Sequence, residues 1–159
     1  MFDMFIEVLM AGLGSAGFAY LFNVHGKKIA WTGIGGGLSW LVYLAVMQMS
    51  GDLFVALFAA TLSIVVASEI LARVIKIPVI MMLVPMLIPL VPGGTLFYSM
   101  QALISGKNLQ FIGYVQSLAL QAAAIAVGMI VGTAIMGNFF TFYYRAKAQK
   151  LSQKITEQS

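Results

Sequence analysis

Long apolar runs and short polar breaks alternate along the whole chain. Five apolar runs stand out, at residues 4–22, 29–49, 53–71, 77–104 and 111–140. A helix needs about 20 mostly apolar residues to cross the roughly 30 Å hydrocarbon core of a bilayer. Each run meets that length, so the pattern predicts an all-α, polytopic transmembrane helix bundle with about five spans.

Helices, not strands, are expected inside the membrane. Backbone N–H and C=O groups find no water there and must bond within the protein, as they do in α-helices and closed β-barrels. The strict alternation of apolar and polar residues that marks a membrane barrel is not seen. We therefore predict a transmembrane helical domain over residues 1–144 and a polar, basic tail over residues 145–159.

Composition agrees with a membrane environment and narrows the chemistry. Hydrophobic residues make up 61% of the chain, charged residues only 9%, and the mean hydropathy is +0.97. Soluble domains carry about 25% charged residues. The chain has no cysteine and one histidine, His25, and shows no nucleophile–base pair or phosphate-binding loop. We therefore expect no enzymatic activity, no cofactor and no metal.

Basic residues predict the orientation in the membrane. With five spans, all of the nine Lys and Arg residues except Lys107 lie on one side, in two short loops and the tail. Cytoplasmic loops carry the basic excess in membrane proteins. This predicts an external N-terminus and a cytoplasmic C-terminus. The same distribution suits contact with the lipid bilayer better than binding of nucleic acid.

The fourth apolar run has an unusual composition. It contains all four prolines of the chain, at positions 78, 85, 89 and 92, and the last is followed by Gly93 and Gly94. A proline inside a helix removes one backbone hydrogen bond and clashes with the preceding turn, at a cost of roughly 3 kcal/mol. The fourth span is therefore predicted to be broken by its prolines and glycines.

Two interpretations of this break remain open. In the functional one, a half-helix begins near Gly93, and its positive end binds an anion such as a substrate carboxylate. In the structural one, the prolines only kink the helix, as they often do in membrane proteins. The functional interpretation makes five residues candidates for substrate binding: Pro89, Pro92, Gly93, Gly94 and Thr95.

Few ionisable residues lie near the spans. Glu69 and Arg73 have the spacing of an ordinary ion pair on one helix face, and Asp52 and Glu7 stand at the predicted outer ends of spans. Charges within a bilayer are costly and often functional. Glu69, Arg73 and Asp52 are therefore candidates for proton or ion handling. The alternatives are a structural pair for Glu69 with Arg73 and a solvated helix end for Asp52, as for Glu7.

Neutral polar and small residues form two further groups. Gln48, Gln101, Gln116 and Gln121 lie in or near spans, where they either bond across helices or line a path. Small residues crowd the first, second and fifth runs and allow close helix packing. That packing serves either the bundle itself or an oligomer.

Two segments resemble a known family. Residues 88–98, IPLVPGGTLFY, resemble the signature of the threonine/serine exporter family. Residues 18–23, FAYLFN, followed by a short basic loop, resemble the end of that family's first span. The resemblance covers nearly the whole chain. It is to the C-terminal membrane half of the family, which in many bacteria is a separate small protein.

The resemblance implies a half-transporter in the bacterial inner membrane, working with a larger partner subunit. Known activities of the family are export of threonine and serine, and the split form is also linked to succinate export. We therefore predict a membrane subunit of a secondary exporter for small carboxylate-bearing metabolites, driven by the proton-motive force. A non-transporting assembly subunit and a homo-oligomeric channel are the alternatives.

Overall fold

Every regular element of the structure is helical. The computed structural model describes residues 2–157, with side chains for residues 3–142 and for Arg145. The described part contains no strand, which confirms the all-helical prediction. The helices are α1 (Phe2–Leu21), α2 (Lys27–Ser50), α3 (Leu53–Ile75), α4 (Ile80–Leu87), α5 (Gly93–Ile104) and α6 (Asn108–Glu157). A 3₁₀ turn (Ile88–Leu90) lies between α4 and α5.

The number of spans is four or five, depending on how the broken pair is counted. The helices α1, α2, α3 and α6 are each long and apolar enough to cross a membrane. The segment Ile80–Leu90 and helix α5 pass the same test only together, and they are bent by 50° at the break between them. This confirms the helical membrane bundle, and the fourth apolar run is divided into two helices at its prolines and glycines.

Helix α3 occupies the centre of the bundle. It packs against α2, α4 and α6, whereas α1 packs against α2 and α4. The buried core between these helices is apolar and includes Ile64 of α3 with Met82 and Met86 of α4. Helix α5 packs on α6. The bundle therefore consists of a cluster, α1–α4, and a helical hairpin, α5–α6, that meets the cluster where α6 contacts α3.

Glycines explain how closely α1 and α2 approach. A Cβ atom added to Gly12 would lie 3.0 Å from the carbonyl oxygen of Gly33. One added to Gly36 would lie 1.9 Å from Oγ of Ser15, a buried hydroxyl without a hydrogen-bond partner among the described residues. Membrane helices use such small residues to bring their backbones together. In α1 and α2 these small residues pack the bundle itself.

Helix α6 meets α3 in the same way. A Cβ atom added to Gly128 would lie 2.9 Å from Cβ of Thr61, and one added to Gly132 would lie 2.9 Å from Cβ of Val65. The small residues of the fifth run therefore allow α6 to pack closely against the central helix, α3.

Helix α6 extends well beyond the fifth apolar run. It has 50 residues, which corresponds to about 75 Å at about 1.5 Å per residue. Its apolar part ends at Phe142. No helix break marks the predicted boundary at residues 144 and 145, since the backbone stays helical to Glu157. The cytoplasmic position of the tail remains a prediction.

Candidate functional site at the broken span

The prolines occupy four different positions around the break. Pro78 precedes α4, and Pro85 is buried inside it. Pro89 lies in the 3₁₀ turn, and Pro92 is the N-cap residue of α5. Since proline has no N–H and disfavours a helical conformation at the residue before it, Pro89 and Pro92 prevent α4 and α5 from joining into one straight helix.

The N-terminus of α5 is not capped by a side chain. Its N-cap, Pro92, makes no side-chain hydrogen bond, and the first helical bond runs from the N–H of Leu96 to the carbonyl of Pro92, at 3.1 Å. The N–H groups of Gly94 and Thr95 precede that bond and have no acceptor within the helix. Gly93 and Gly94 are exposed, so an external acceptor has access to this helix end.

This helix end lies deep in the predicted span. Helix α5 has 12 residues and is about 18 Å long. With its C-terminal end at the membrane surface, its N-terminus reaches past the middle of a hydrocarbon core of about 30 Å. The helix dipole places a partial positive charge at that end. The arrangement suits a carboxylate, which accepts hydrogen bonds and carries the opposite charge.

A polar cluster lies beside this helix end. Nε2 of Gln121, on α6, donates to Oγ1 of Thr95 at 3.1 Å and to Oγ of Ser117 at 3.0 Å. Gln121 is 9% exposed, so its amide has little access to anything but these hydroxyls. This confirms for Gln121 the interpretation that it bonds across helices. Thr95 is thereby turned toward α6.

Pro89 lies on the other side of the break. It lines a groove of about 300 Å³ together with Glu7, Met10, Ala11 and Trp40. The indole Nε1 of Trp40 donates to Oε2 of Glu7 at 3.2 Å. The structure thus keeps Gly93, Gly94 and Thr95 together at the start of α5, but it places Pro89 against α1 and α2.

Glu7 and Trp40 were not among the predicted site residues. Glu7 was interpreted as a solvated end, and its indole partner lies 33 positions away in the sequence. The available signal was weak: an acidic residue about one turn inside an apolar run. Nothing in the sequence indicated that this turn would lie beside the proline-rich segment.

Glu69 and Arg73 form an ion pair on α3. Nη1 of Arg73 donates to the Glu69 carboxylate, and also to the Glu69 backbone carbonyl at 2.7 Å. The guanidinium group lies 3.5 Å from the centroid of the Phe140 ring on α6. Phe140 is about 28 Å along α6 from Gln121, at about 1.5 Å per residue. The pair is therefore remote from the start of α5.

Asp52 lies at the opposite end of the same helix. It is the N-cap residue of α3, and its Oδ1 accepts from the N–H groups of Phe54 at 2.7 Å and Val55 at 3.2 Å. Glu69 is about 25 Å further along α3. The structure therefore does not bring the three predicted ion-handling residues together. Among the described residues, no group of three or more His, Asp or Glu side chains is arranged to hold a metal.

These features have a known counterpart among membrane proteins. A helical membrane bundle with a bent helix pair, whose second helix starts with N–H groups that have no acceptor within the helix, resembles the discontinuous helices at which secondary transporters bind their substrates.

The family follows from comparison of the sequence. The profile of the family described as "Threonine/Serine exporter, ThrE" matches residues 7–135. The chain therefore belongs to the threonine/serine exporter family. The matched region contains the broken span, all of α5 and the part of α6 up to residue 135. Comparison with curated proteins and with solved structures gave no match.

Proposed function

We propose that this chain is the membrane subunit of a secondary exporter for threonine, serine or another small carboxylate-bearing metabolite, such as the dicarboxylate succinate. It acts in the bacterial inner membrane, driven by the proton-motive force, with its N-terminus outside and its C-terminus in the cytoplasm. A larger subunit of the same family, further copies of this chain, or both complete the transporter. The supporting observation is the uncapped start of α5 inside the family-matched region.

The proposed binding site uses backbone groups. The substrate carboxylate accepts hydrogen bonds from the N–H groups of Gly94 and Thr95, and the helix dipole adds an attraction for negative charge. Gly93 and Gly94 leave the approach open because they have no side chains. Pro89 and Pro92 keep the helix end separate from α4, so that these donors stay available.

The proposed ion coupling involves Glu69 with Arg73. In the structure, the Glu69 side chain is 14% exposed and that of Arg73 is 34% exposed, so this charge pair is partly removed from water. Charged groups within a membrane are costly, which is why they often mark ion pathways. Asp52 is kept as the other candidate for ion handling, although its carboxylate already accepts two backbone N–H groups.

Deleting the gene tests the proposal at the level of the whole transporter. We expect the deletion strain to lose energy-dependent efflux of threonine, serine or succinate after cells are loaded with each metabolite. Reintroducing the gene should restore the efflux. Equal efflux with and without the gene would refute the transport function. Full transport by the larger subunit alone in liposomes would favour the assembly-subunit alternative.

Replacing Gly93 and Gly94 by leucine tests the binding site. An added Cβ atom at either position meets nothing within 4 Å, so the double variant should insert and fold normally. The leucine side chains would cover the helix end. We expect the efflux rate to fall about tenfold or more, because hydrogen bonds to a charged group contribute about 1.5–3 kcal/mol each.

Gly137→Leu is the matched control for this variant. Gly137 is also exposed and also has nothing within 4 Å of an added Cβ atom, but it lies far along α6 from the break. We expect normal efflux from the control. Normal efflux from the Gly93/Gly94 double variant as well, at equal protein level in the membrane, would refute the binding role.

A further inference from the structure

Several polar side chains of α5 and α6 lie where the two helices meet. The rest of the α5 surface is mostly apolar and exposed. Its exposed apolar residues are Leu96, Phe97, Met100, Leu103 and Ile104. In contrast, the face of α5 that meets α6 carries Thr95, Tyr98 and Ser105. We call this contact, together with the facing side chains of α6, the α5–α6 seam.

The deep end of the seam is the polar cluster beside the start of α5. There Gln121 donates across the two helices to Thr95 at 3.1 Å, and along α6 to Ser117 at 3.0 Å. Thr95 is also one of the residues whose N–H has no helical acceptor. The seam therefore begins at the proposed carboxylate site.

Two tyrosine rings extend the α5–α6 seam from the polar cluster toward the α5–α6 turn. The rings of Tyr98 and Tyr114 stack across the helices with centroids 6.0 Å apart. On α6, positions 110, 114, 117 and 121 are spaced three or four residues apart, so they share one helix face. Each ring edge carries a hydroxyl group that is able to donate or accept a hydrogen bond. The polar groups are therefore aligned along the contact.

The seam ends in a cavity at the α5–α6 turn. The cavity has a volume of about 140 Å³ and is lined by Tyr98, Gln101, Ala102, Ser105, Lys107, Gln110 and Tyr114. About 10–15 Å³ of such volume holds one water molecule, so the cavity has room for several waters or for a small carboxylate-bearing metabolite. Lys107 supplies a positive charge. It is the one basic residue predicted to lie on the side opposite the basic loops.

We propose that the α5–α6 seam is the exit route of the substrate, and that the cavity around Lys107 is a second, outer carboxylate-binding site. The Lys107 ammonium group and the amides of Gln101 and Gln110 would hold the carboxylate there. The identity of the cargo rests on the proposed export function. The existence of an aqueous route along the seam does not rest on the export function, and it is tested separately.

Cysteine scanning tests the route directly, because the chain contains no cysteine of its own. Single cysteines at Gln110, Tyr114 and Ser117 are labelled in intact cells and in inverted membrane vesicles with a membrane-impermeant maleimide. Gln116→Cys is the matched control, since Gln116 is exposed and points about 120° away from the seam around the α6 axis.

We expect labelling in intact cells at all three seam positions, fastest at Gln110→Cys and slowest at Ser117→Cys. Gln116→Cys should react at least about tenfold more slowly than Gln110→Cys, because lipid surrounds it and a thiolate is disfavoured there. If the seam cysteines react no faster than Gln116→Cys, the route is refuted. Labelling of the seam only in inverted vesicles would refute its role as an exit.

Two kinds of ligand could supply the anionic oxygen at the outer site: a substrate carboxylate and a lipid phosphate. Labelling of purified Gln110→Cys protein in detergent distinguishes between these two ligands. Labelling is followed with millimolar threonine, serine or succinate in one arm and with phosphatidylglycerol in the other. Slower labelling with any of the three metabolites supports the outer site. Protection by the lipid alone refutes it.

Efflux from variants distinguishes failure of this inference from failure of the export function. We expect Lys107→Gln and Gln110→Leu to lower the efflux rate about tenfold, which corresponds to about 1.4 kcal/mol. Gln116→Leu should export normally. If the wild-type gene restores no efflux, the export function fails. If the wild type restores efflux and all three variants match it, export stands and the outer site is refuted.

Discussion

At the scale of single residues, Asp52 shows how a structural role and a functional role are separated. Its carboxylate caps α3 by accepting two backbone N–H groups. Loss of an N-cap side chain lowers stability by about 1 kcal/mol. Asparagine caps a helix about as well as aspartate, but its amide carries no charge and does not ionise near neutral pH.

We predict that Asp52→Ala lowers the unfolding free energy by about 1 kcal/mol, whereas Asp52→Asn leaves it nearly unchanged. Thermal unfolding of the purified variants in detergent measures both. Energy-dependent efflux from the stable Asp52→Asn protein then tests ion handling. Loss of efflux would support the proposed ion handling by Asp52, and efflux at the wild-type rate would limit this residue to its cap.

The sequence places Asp52 between two apolar runs, at the start of a span, which fits the cap seen in the structure, although the cap itself was not predicted. The contact between Trp40 and Glu7 was not predicted either. It joins residues 33 positions apart, and it depends on how α1, α2 and the 3₁₀ turn pack. Local patterns predict local bonds, whereas a contact between distant helices depends on the packing of the whole bundle.

At the scale of helices, glycines on α6 determine how closely it approaches α3. Gly132 faces Val65, and an added Cβ atom would lie within 2.9–3.2 Å of three atoms of that branched side chain. A β-branched residue in a helix is nearly fixed in one rotamer, so Val65 cannot easily move aside. The helices would have to separate.

We predict that Gly132→Ala lowers the unfolding free energy by about 1–3 kcal/mol, the usual cost of overpacking a core. Gly137→Ala is the control on the same helix, where an added Cβ atom meets nothing within 4 Å. It should be neutral or slightly stabilising, since alanine favours a helix over glycine by about 1 kcal/mol. Equal melting temperatures for the two variants would contradict the packing described for α3 and α6.

The proline-rich segment predicted a broken span because proline removes backbone bonds wherever it stands in a helix. The small residues of the fifth run likewise predicted close helix packing. Neither pattern predicted the 50° bend, the choice of α3 as the partner of α6, or the pairing of Gln121 with Thr95. Those features depend on which helix surfaces face each other, which local sequence patterns do not encode.

At the scale of the whole molecule, the broken pair decides the topology. If the segment from α4 to α5 crosses the membrane, the chain has five spans and its termini lie on opposite sides. If it enters and returns to the same side, only α1, α2, α3 and α6 cross, and the termini share a side. The distribution of basic residues favours the first arrangement.

We predict opposite locations for the two termini. A periplasm-sensitive reporter fused before residue 1 should be active, and the same reporter fused after residue 159 should be inactive. Single cysteines at His25 and Lys107, labelled from outside, provide an independent check. Only Lys107→Cys should react in intact cells. Termini on the same side would show that the broken pair is re-entrant.

Helix α6 joins the central helix to the seam as one continuous helix. The prolines of the chain all lie upstream of it, and its 50 residues continue without a break. It packs against α3 at Gly128 and Gly132, between Gln121 and the tail. If α6 tilts as one unit, it is a lever with its fulcrum at those glycines. A displacement of the tail would then move Gln121 in the opposite direction, relative to the central helix α3.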